Sequence, residues 1–206
     1  QQQRPSSRCP PRSRAAHATW GRGEFTTVGT GMGRGDDPDD HEGRILVTQH
    51  GKFRCINTYL PSGSSKIERQ MYKERWMENW AEWLKPQFAS EDPVIVAGDL
   101  NIAHDEIDIW NARGNMMSSG FLPHERAWFS HLLESGWHDL CREHWGPVQG
   151  PYSWWSNRGR AREDNKGWRI DYILGNDAAK ARFKDARIVR AGGLQVSVHA
   201  PVFVDF

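Results

Sequence analysis

The chain has 206 residues, enough for one large domain whose core buries roughly 70% of the surface the unfolded chain exposes. Its 27 Lys and Arg against 26 Asp and Glu leave a formal charge of +1, which excludes the broad basic field that by itself marks nucleic-acid binding. Three scattered cysteines, Cys9, Cys55 and Cys141, make neither a disulfide framework nor a zinc knuckle, and the apolar runs fall far short of the ~20 residues of a membrane helix, so a soluble protein of a reducing, intracellular compartment is expected.

The charge is unevenly placed. Six arginines and one acid, Glu24, fall in the first 34 residues, which leaves the rest of the chain mildly acidic. Residues 1–23 are Gln, Pro, Ser, Arg and Ala without an apolar period, a composition that cannot offset its ordering entropy; a disordered basic leader is expected there, and a folded domain over residues 24–206. Strand patterns begin at residue 44, where 44–48 and 53–59 around Gly51 predict a hairpin. Leu60-Pro61-Ser62-Gly63 breaks the second strand, and Ser65 with Glu68 predicts a capping box opening a helix that Lys85-Pro86 ends. Trp76, Trp80 and Trp83 recur in it at helical spacing, which assigns three of the 11 tryptophans to core packing.

The apolar run 93–97 predicts a strand buried on both faces that delivers Gly98-Asp99-Leu100-Asn101 at its carboxyl end. Pro123 opens a helix that Gly136 stops. Residues 152–169 are aromatic and polar without period; strands follow at 169–174, 187–190 and 200–206, with a short helix at 177–183. Strands and helices interleave, so the class is mixed α/β with two sheets.

Asp99 and Asn101 stand two apart just past a buried strand. A carboxylate there can hold a hard cation or accept a proton, and an amide can donate to a phosphoryl oxygen, although both residues are also ordinary turn formers. Asp171 lies inside a strand, where aspartate is depleted unless partnered by a salt bridge or another group, and His199 just before the last strand is poised as a base if Asp171 is its partner. Tyr59 offers a phenol to a phosphate or closes a core edge. Asn111, Arg113, Asn115 and Asn157-Arg158 supply loop donors of the kind that grip a phosphate backbone without a strongly basic surface.

Tyr59-Leu60-Pro61-Ser62-Gly63, Gly98-Asp99-Leu100-Asn101, Ser119-Gly120-Phe121-Leu122-Pro123, Tyr152-Ser153-Trp154-Trp155, Trp168-Arg169-Ile170-Asp171 and His199-Ala200-Pro201 follow in order, and together they resemble the exonuclease III family of apurinic/apyrimidinic endonucleases, within the endonuclease/exonuclease/phosphatase superfamily. The resemblance implies a four-layer α/β sandwich of two sheets flanked by helices, and Mg²⁺-dependent (or Mn²⁺-dependent) cleavage of double-stranded DNA at abasic sites or 3′ ends by a monomer. It implies that Asp99 activates the attacking water, Asn101 stabilises the developing oxyanion, and Tyr59 and His199 meet the phosphate, with Asp171 orienting His199. Trp154, Trp168 and Ile170 would wall the pocket for the base-less sugar; Asp99, Asn101 and His199 would hold the metal; a nucleoid-associated location follows from the substrate.

Two departures from the family pattern bear on the metal. Nothing in residues 1–43 resembles the family's amino-terminal strands with their metal-binding Glu, and Val198 stands where the family has Asp. Both remove an acidic ligand, which predicts weak Mg²⁺ binding and impaired activity, and leaves a second reading, a non-catalytic binder of abasic DNA.

Overall fold

The computed structural model describes residues 24–33, 42–191 and 196–206; the leader expected over residues 1–23 lies outside them. In chain order the elements are β1 (Thr26–Thr30), β2 (Ile45–His50), β3 (Phe53–Thr58), α1 (Ile67–Phe88), β4 (Val94–Asp99), α2 (Ala112–Asn115), α3 (Pro123–Glu134) and β5 (His138–Asp139). They continue as α4 (Leu140–Trp145), β6 (Trp154–Trp155), β7 (Gly167–Trp168), β8 (Asp171–Gly175), α5 (Asp177–Lys180), β9 (Asp185–Ile188) and β10 (Val202–Asp205). Six strands form one mixed sheet in the order β1-β2-β3-β4-β8-β5, while β9 with β10 and β6 with β7 form two-stranded ribbons. The architecture is thus the α/β arrangement of sheets flanked by helices that the sequence predicts; among the described residues the strands outside the six-stranded sheet form two-stranded ribbons.

The β2–β3 hairpin forms as expected, because Gly51 adopts φ +57° at the first of two turn residues, the twist that matches antiparallel strands. α1 then carries the chain across to β4, which pairs parallel with β3. Trp76, Trp80 and Leu84 on α1, Phe129 and Leu132 on α3, and Ile56, Val94, Val96, Tyr172 and Leu174 on the strands make the main core, so both helices cover one face of the sheet.

Four sequence expectations are corrected. Among the described residues one strand, β1, precedes residue 44; its side chains are almost all exposed and a bulge interrupts its pairing with β2, so no apolar period announces it. The capping box does not form: α1 opens at Ile67 after Lys66, which is extended and caps nothing with its side chain, leaving Ser65 a residue outside the cap. Pro86 does not end α1, which continues to Phe88 because Trp83 and Phe88 pack against the core and hold the last turn. β4 alternates instead of burying both faces: Val94 and Val96 are fully buried toward the helices, while Ile95, Ala97 and Asp99 on the opposite face remain partly accessible.

Candidate active site

Two strand ends bring the first carboxylates together. β4 and β8 pair antiparallel with Asp99 directly opposite Asp171, an arrangement that costs energy when both residues carry the same charge. Just before Asp99, Gly98 takes φ +147°, and a Cβ there would stand 1.9 Å from the Thr58 carbonyl oxygen; only glycine lets β4 bend so close to the end of β3. Just after it, Asn101 turns into the left-handed region at φ +50°, and its amide nitrogen donates to the Leu60 carbonyl at 2.9 Å and to Asp99 Oδ2 at 3.3 Å. The Asn101 backbone N–H also donates to Asp99 Oδ1 at 2.9 Å, so Asp99 is held from two sides.

His199 completes the cluster from the far end of the chain. Its Nδ1 lies 3.1 and 2.9 Å from the two Asp171 oxygens, and its Nε2 is 4.0 Å from Asp99 Oδ2. Ser153, fully buried, donates its hydroxyl to Asp171 Oδ2 at 2.6 Å and accepts the backbone N–H groups of Ile170 and Asp171 at 3.1 Å. Burial, then the charge of Asp171, push the Asp99 carboxyl up to about 7. The His199 imidazole also lies above its usual value: burial pulls it down, but the hydrogen bond and charge of Asp171 and the charge of Asp99 more than offset that.

Asp99, Asp171 and His199 each offer a ligand-type atom within 4.8 Å of the others. Facing carboxylates, one of them reluctant to ionise, are a donor set that a hard divalent cation would stabilise, so the residues present fit such an ion. Asp171 therefore joins Asp99 and His199 as a candidate ligand, and Asn101, whose amide nitrogen orients Asp99, would meet a cation through its amide oxygen.

Asp99 and His199 of this cluster line an open groove of about 830 Å³, together with Tyr59, Asn101, Trp154, Trp168 and Ile170. The Trp154 and Trp168 rings meet edge to face at 6.1 Å and 88°, and a small apolar cluster of Ala103, Ile109, Phe121 and Ile170 backs them. Tyr59 is braced by Arg44, whose guanidinium stacks 5.0 Å from the ring centroid and donates to the Tyr59 carbonyl at 2.9 Å.

Asn111, Arg113, Asn115 and Arg158 lie outside the groove lining. Asn111 caps α2 by accepting the Gly114 N–H, and Asn115 donates to the Asn111 carbonyl at 2.9 Å, so both amides serve a local turn. Val198 lines a separate cavity of about 250 Å³ beside Trp155 and Arg162. Sequence reasoning assigned no role to Ser153 or Arg44; the only signal for Ser153 is a small hydroxyl between Tyr152 and Trp154, and for Arg44 there is none.

A profile described as the endonuclease/exonuclease/phosphatase family matches residues 12–193 of the chain. An exodeoxyribonuclease of Bacillus subtilis (strain 168) is 36% identical over 170 residues, covering 82% of this chain and 66% of that protein. The DNA repair nuclease APEX1 of Danio rerio is 35% identical over 156 residues, covering 76% of this chain and 50% of its own length. The 3′ phosphatase NExo from Neisseria, solved bound to product DNA hairpin, superposes with a TM-score of 0.79 at 28% identity over 88% of this chain and 71% of that one. The chain thus spans one half to just under two thirds of the two curated relatives.

Proposed function

The chain belongs to the endonuclease/exonuclease/phosphatase family, and we propose that it is a DNA-repair phosphodiesterase of the exonuclease III type, acting on double-stranded DNA at abasic sites and at 3′ ends. The observation that carries this reading is the Asp99, Asp171 and His199 cluster, whose Asp99 and His199 line a groove together with Trp154, Trp168 and Ile170. An apolar slot beside ionisable groups suits a deoxyribose that has lost its base and sterically rejects an intact nucleotide.

In this mechanism Asp99, whose proton affinity lies near neutrality, takes the proton of the attacking water. Asn101 keeps Asp99 in one orientation and lies beside the developing charge. Asp171 holds His199 through Nδ1, which leaves Nε2 to donate to a phosphoryl oxygen, and Tyr59, which lines the same groove, contacts the phosphate. Asp99 and Asp171 would hold Mg²⁺ or Mn²⁺, which when bound offsets charge growing on the phosphoryl oxygens, while both nitrogens of His199 are engaged by Asp171 and the phosphate. Asn111, Arg113, Asn115 and Arg158 would meet the DNA backbone beyond the groove.

The test is nicking of a duplex carrying one synthetic abasic site, with 3′-phosphate release measured in parallel. Metal-dependent cleavage lost in Asp99→Asn supports the reading. Tight abasic-duplex binding without cleavage at saturating Mg²⁺ or Mn²⁺ replaces it with a non-catalytic binder.

A further inference from the structure

A buried ion pair behind the groove has no part in the chemistry above. Lys73 on α1 and Glu125 in the first turn of α3 are both fully buried, with Nζ and Oε1 2.6 Å apart. Each partner also grips a segment that lines the site. Lys73 Nζ donates to the Asn101 carbonyl at 2.9 Å, at the residue whose left-handed backbone sets the floor. Glu125 Oε2 accepts the Gly120 N–H at 2.6 Å and the Leu122 N–H at 3.1 Å. Gln70, one turn before Lys73, donates to Glu125 at 3.0 Å and accepts the Ser119 hydroxyl at 2.6 Å.

The segments so tied also touch one another. The Ala103 N–H donates to the Gly120 carbonyl at 2.8 Å, and a Cβ on Gly120 would stand 2.9 Å from the Asn101 carbonyl oxygen and 3.3 Å from the Trp168 ring. Asn101, Gly120 and Trp168 are therefore packed with no room for an added methyl group, and the ion pair closes the back of that packing. A buried pair of this kind adds little net stability, since two desolvated charges cost nearly what their attraction returns. What it does supply is geometry: six fixed hydrogen-bond or ionic contacts that hold three chain segments in one arrangement.

We propose that Lys73 and Glu125 are positioning residues for the phosphodiester cleavage, holding the Asn101 turn and the 118–122 loop at the distance the reacting phosphate requires. The proposal rests on the reading of the groove as a phosphodiesterase site. Such positioning acts on the rate of the bound complex, since small displacements of reacting groups change rate far more than affinity.

The experiment compares Lys73→Arg, Lys73→Met and the double variant Lys73→Met/Glu125→Gln, the last of which removes both buried charges while keeping an acceptor for the Gly120 N–H. In the abasic-duplex assay the double variant is expected to lose about 10- to 100-fold in kcat with KM changed less than about threefold, and Lys73→Arg to retain most of the rate. Amide hydrogen exchange, which needs no activity, is expected to quicken at Asn101 and Ala103 while Val96 in β4 keeps its protection. An unchanged kcat, a loss confined to KM, or exchange that quickens equally through β4 would each overturn positioning. If the parent chain does not cleave, the phosphodiesterase reading fails by itself, and unchanged exchange at Asn101 and Ala103 then overturns the positioning separately.

Discussion

Replacing Arg169 by methionine removes the cation from a buried charge network, and the contacts it makes set the size of the loss. Its side chain is 1% exposed; Nε and Nη2 donate to the two Asp108 oxygens at 2.7 and 3.1 Å, Nη1 lies 2.8 Å from Asp139 Oδ2, and the guanidinium stacks 4.4 Å from the Tyr172 ring centroid. Asp108 keeps a second cation, Arg142, at 2.5 Å, but Asp139 retains only the Arg142 backbone N–H on its other oxygen at 3.0 Å. A methionine therefore fills the space while leaving Asp139 as a buried carboxylate with no counter-charge, a change that costs about 3–5 kcal/mol. For a chain of this length each kcal/mol lowers Tm by about 2–4 °C, so a fall of roughly 10 °C is expected. Thermal unfolding of Arg169→Met, Asp139→Asn and the double variant checks this at pH 7. Neutralising Asp139 removes the orphan charge, so the double variant is expected to be more stable than Arg169→Met alone, with a coupling above about 1 kcal/mol. A single variant melting within about 2 °C of the parent, or two losses that simply add, would refute the charge argument.

Three further outcomes follow from the same geometry. Asp171→Asn removes the charge opposite Asp99 and the ionic grip on His199, so cleavage is expected to fall about 10²- to 10⁴-fold. Burial and the charge of Asp171 push Asp99 up to about 7 in the metal-free chain, so an NMR titration of the Asp99 carboxyl without metal is expected to move to lower pH in that variant; a titration that stays put removes Asp171 from the electrostatics of Asp99. Gly98→Ala forces a Cβ to within 1.9 Å of the Thr58 carbonyl oxygen at a φ of +147°, and a loss of at least ~2 kcal/mol in urea unfolding is expected, with β3 and β4 forced apart. Glu42 is held down to about 2, chiefly by its hydrogen bond to Arg69 and, against the opposing effect of burial, by Arg44; its stabilisation is present above the ordinary carboxylate range and disappears as pH falls toward 2. Solvent screening keeps that contribution near 1 kcal/mol, and Glu42→Gln is expected to flatten the acid limb of stability over that range without changing stability's slope above about pH 6.

Much of the framework was legible because it depends on neighbours in the chain. Gly51 between two strand patterns, the helical spacing of Trp76 and Trp80, and Pro123 at the start of α3 all report local geometry, and the structure has the hairpin, the buried indoles and the helix start at those positions. Where the local reading failed, a distant contact had changed the outcome: packing of Trp83 and Phe88 carried α1 past Pro86, and β1 gained its place from pairing with β2, not from any pattern of its own.

The residues of the candidate site divide in the same way. Residue types and positions were enough to single out Tyr59, Asp99, Asn101, Asp171 and His199, and the family resemblance carried by the ordered motifs added the two groove tryptophans. Their arrangement was decided only by the register of β4 on β8, which sets Asp99 opposite Asp171, where burial and then the charge of Asp171 raise the Asp99 carboxyl. The supports around them, Ser153 under Asp171, Arg44 over Tyr59, Arg169 between Asp108 and Asp139, and Lys73 against Glu125, carry no local mark, because a buried polar side chain is read from its partner and that partner lies on another element. Sequence by itself determined the β2–β3 hairpin, the two long helices, the β4 strand and which chemical groups were on hand; β1, β5, the β6–β7 ribbon and the burial that makes those groups pair, repel or hold a proton near neutral pH arose only from tertiary packing.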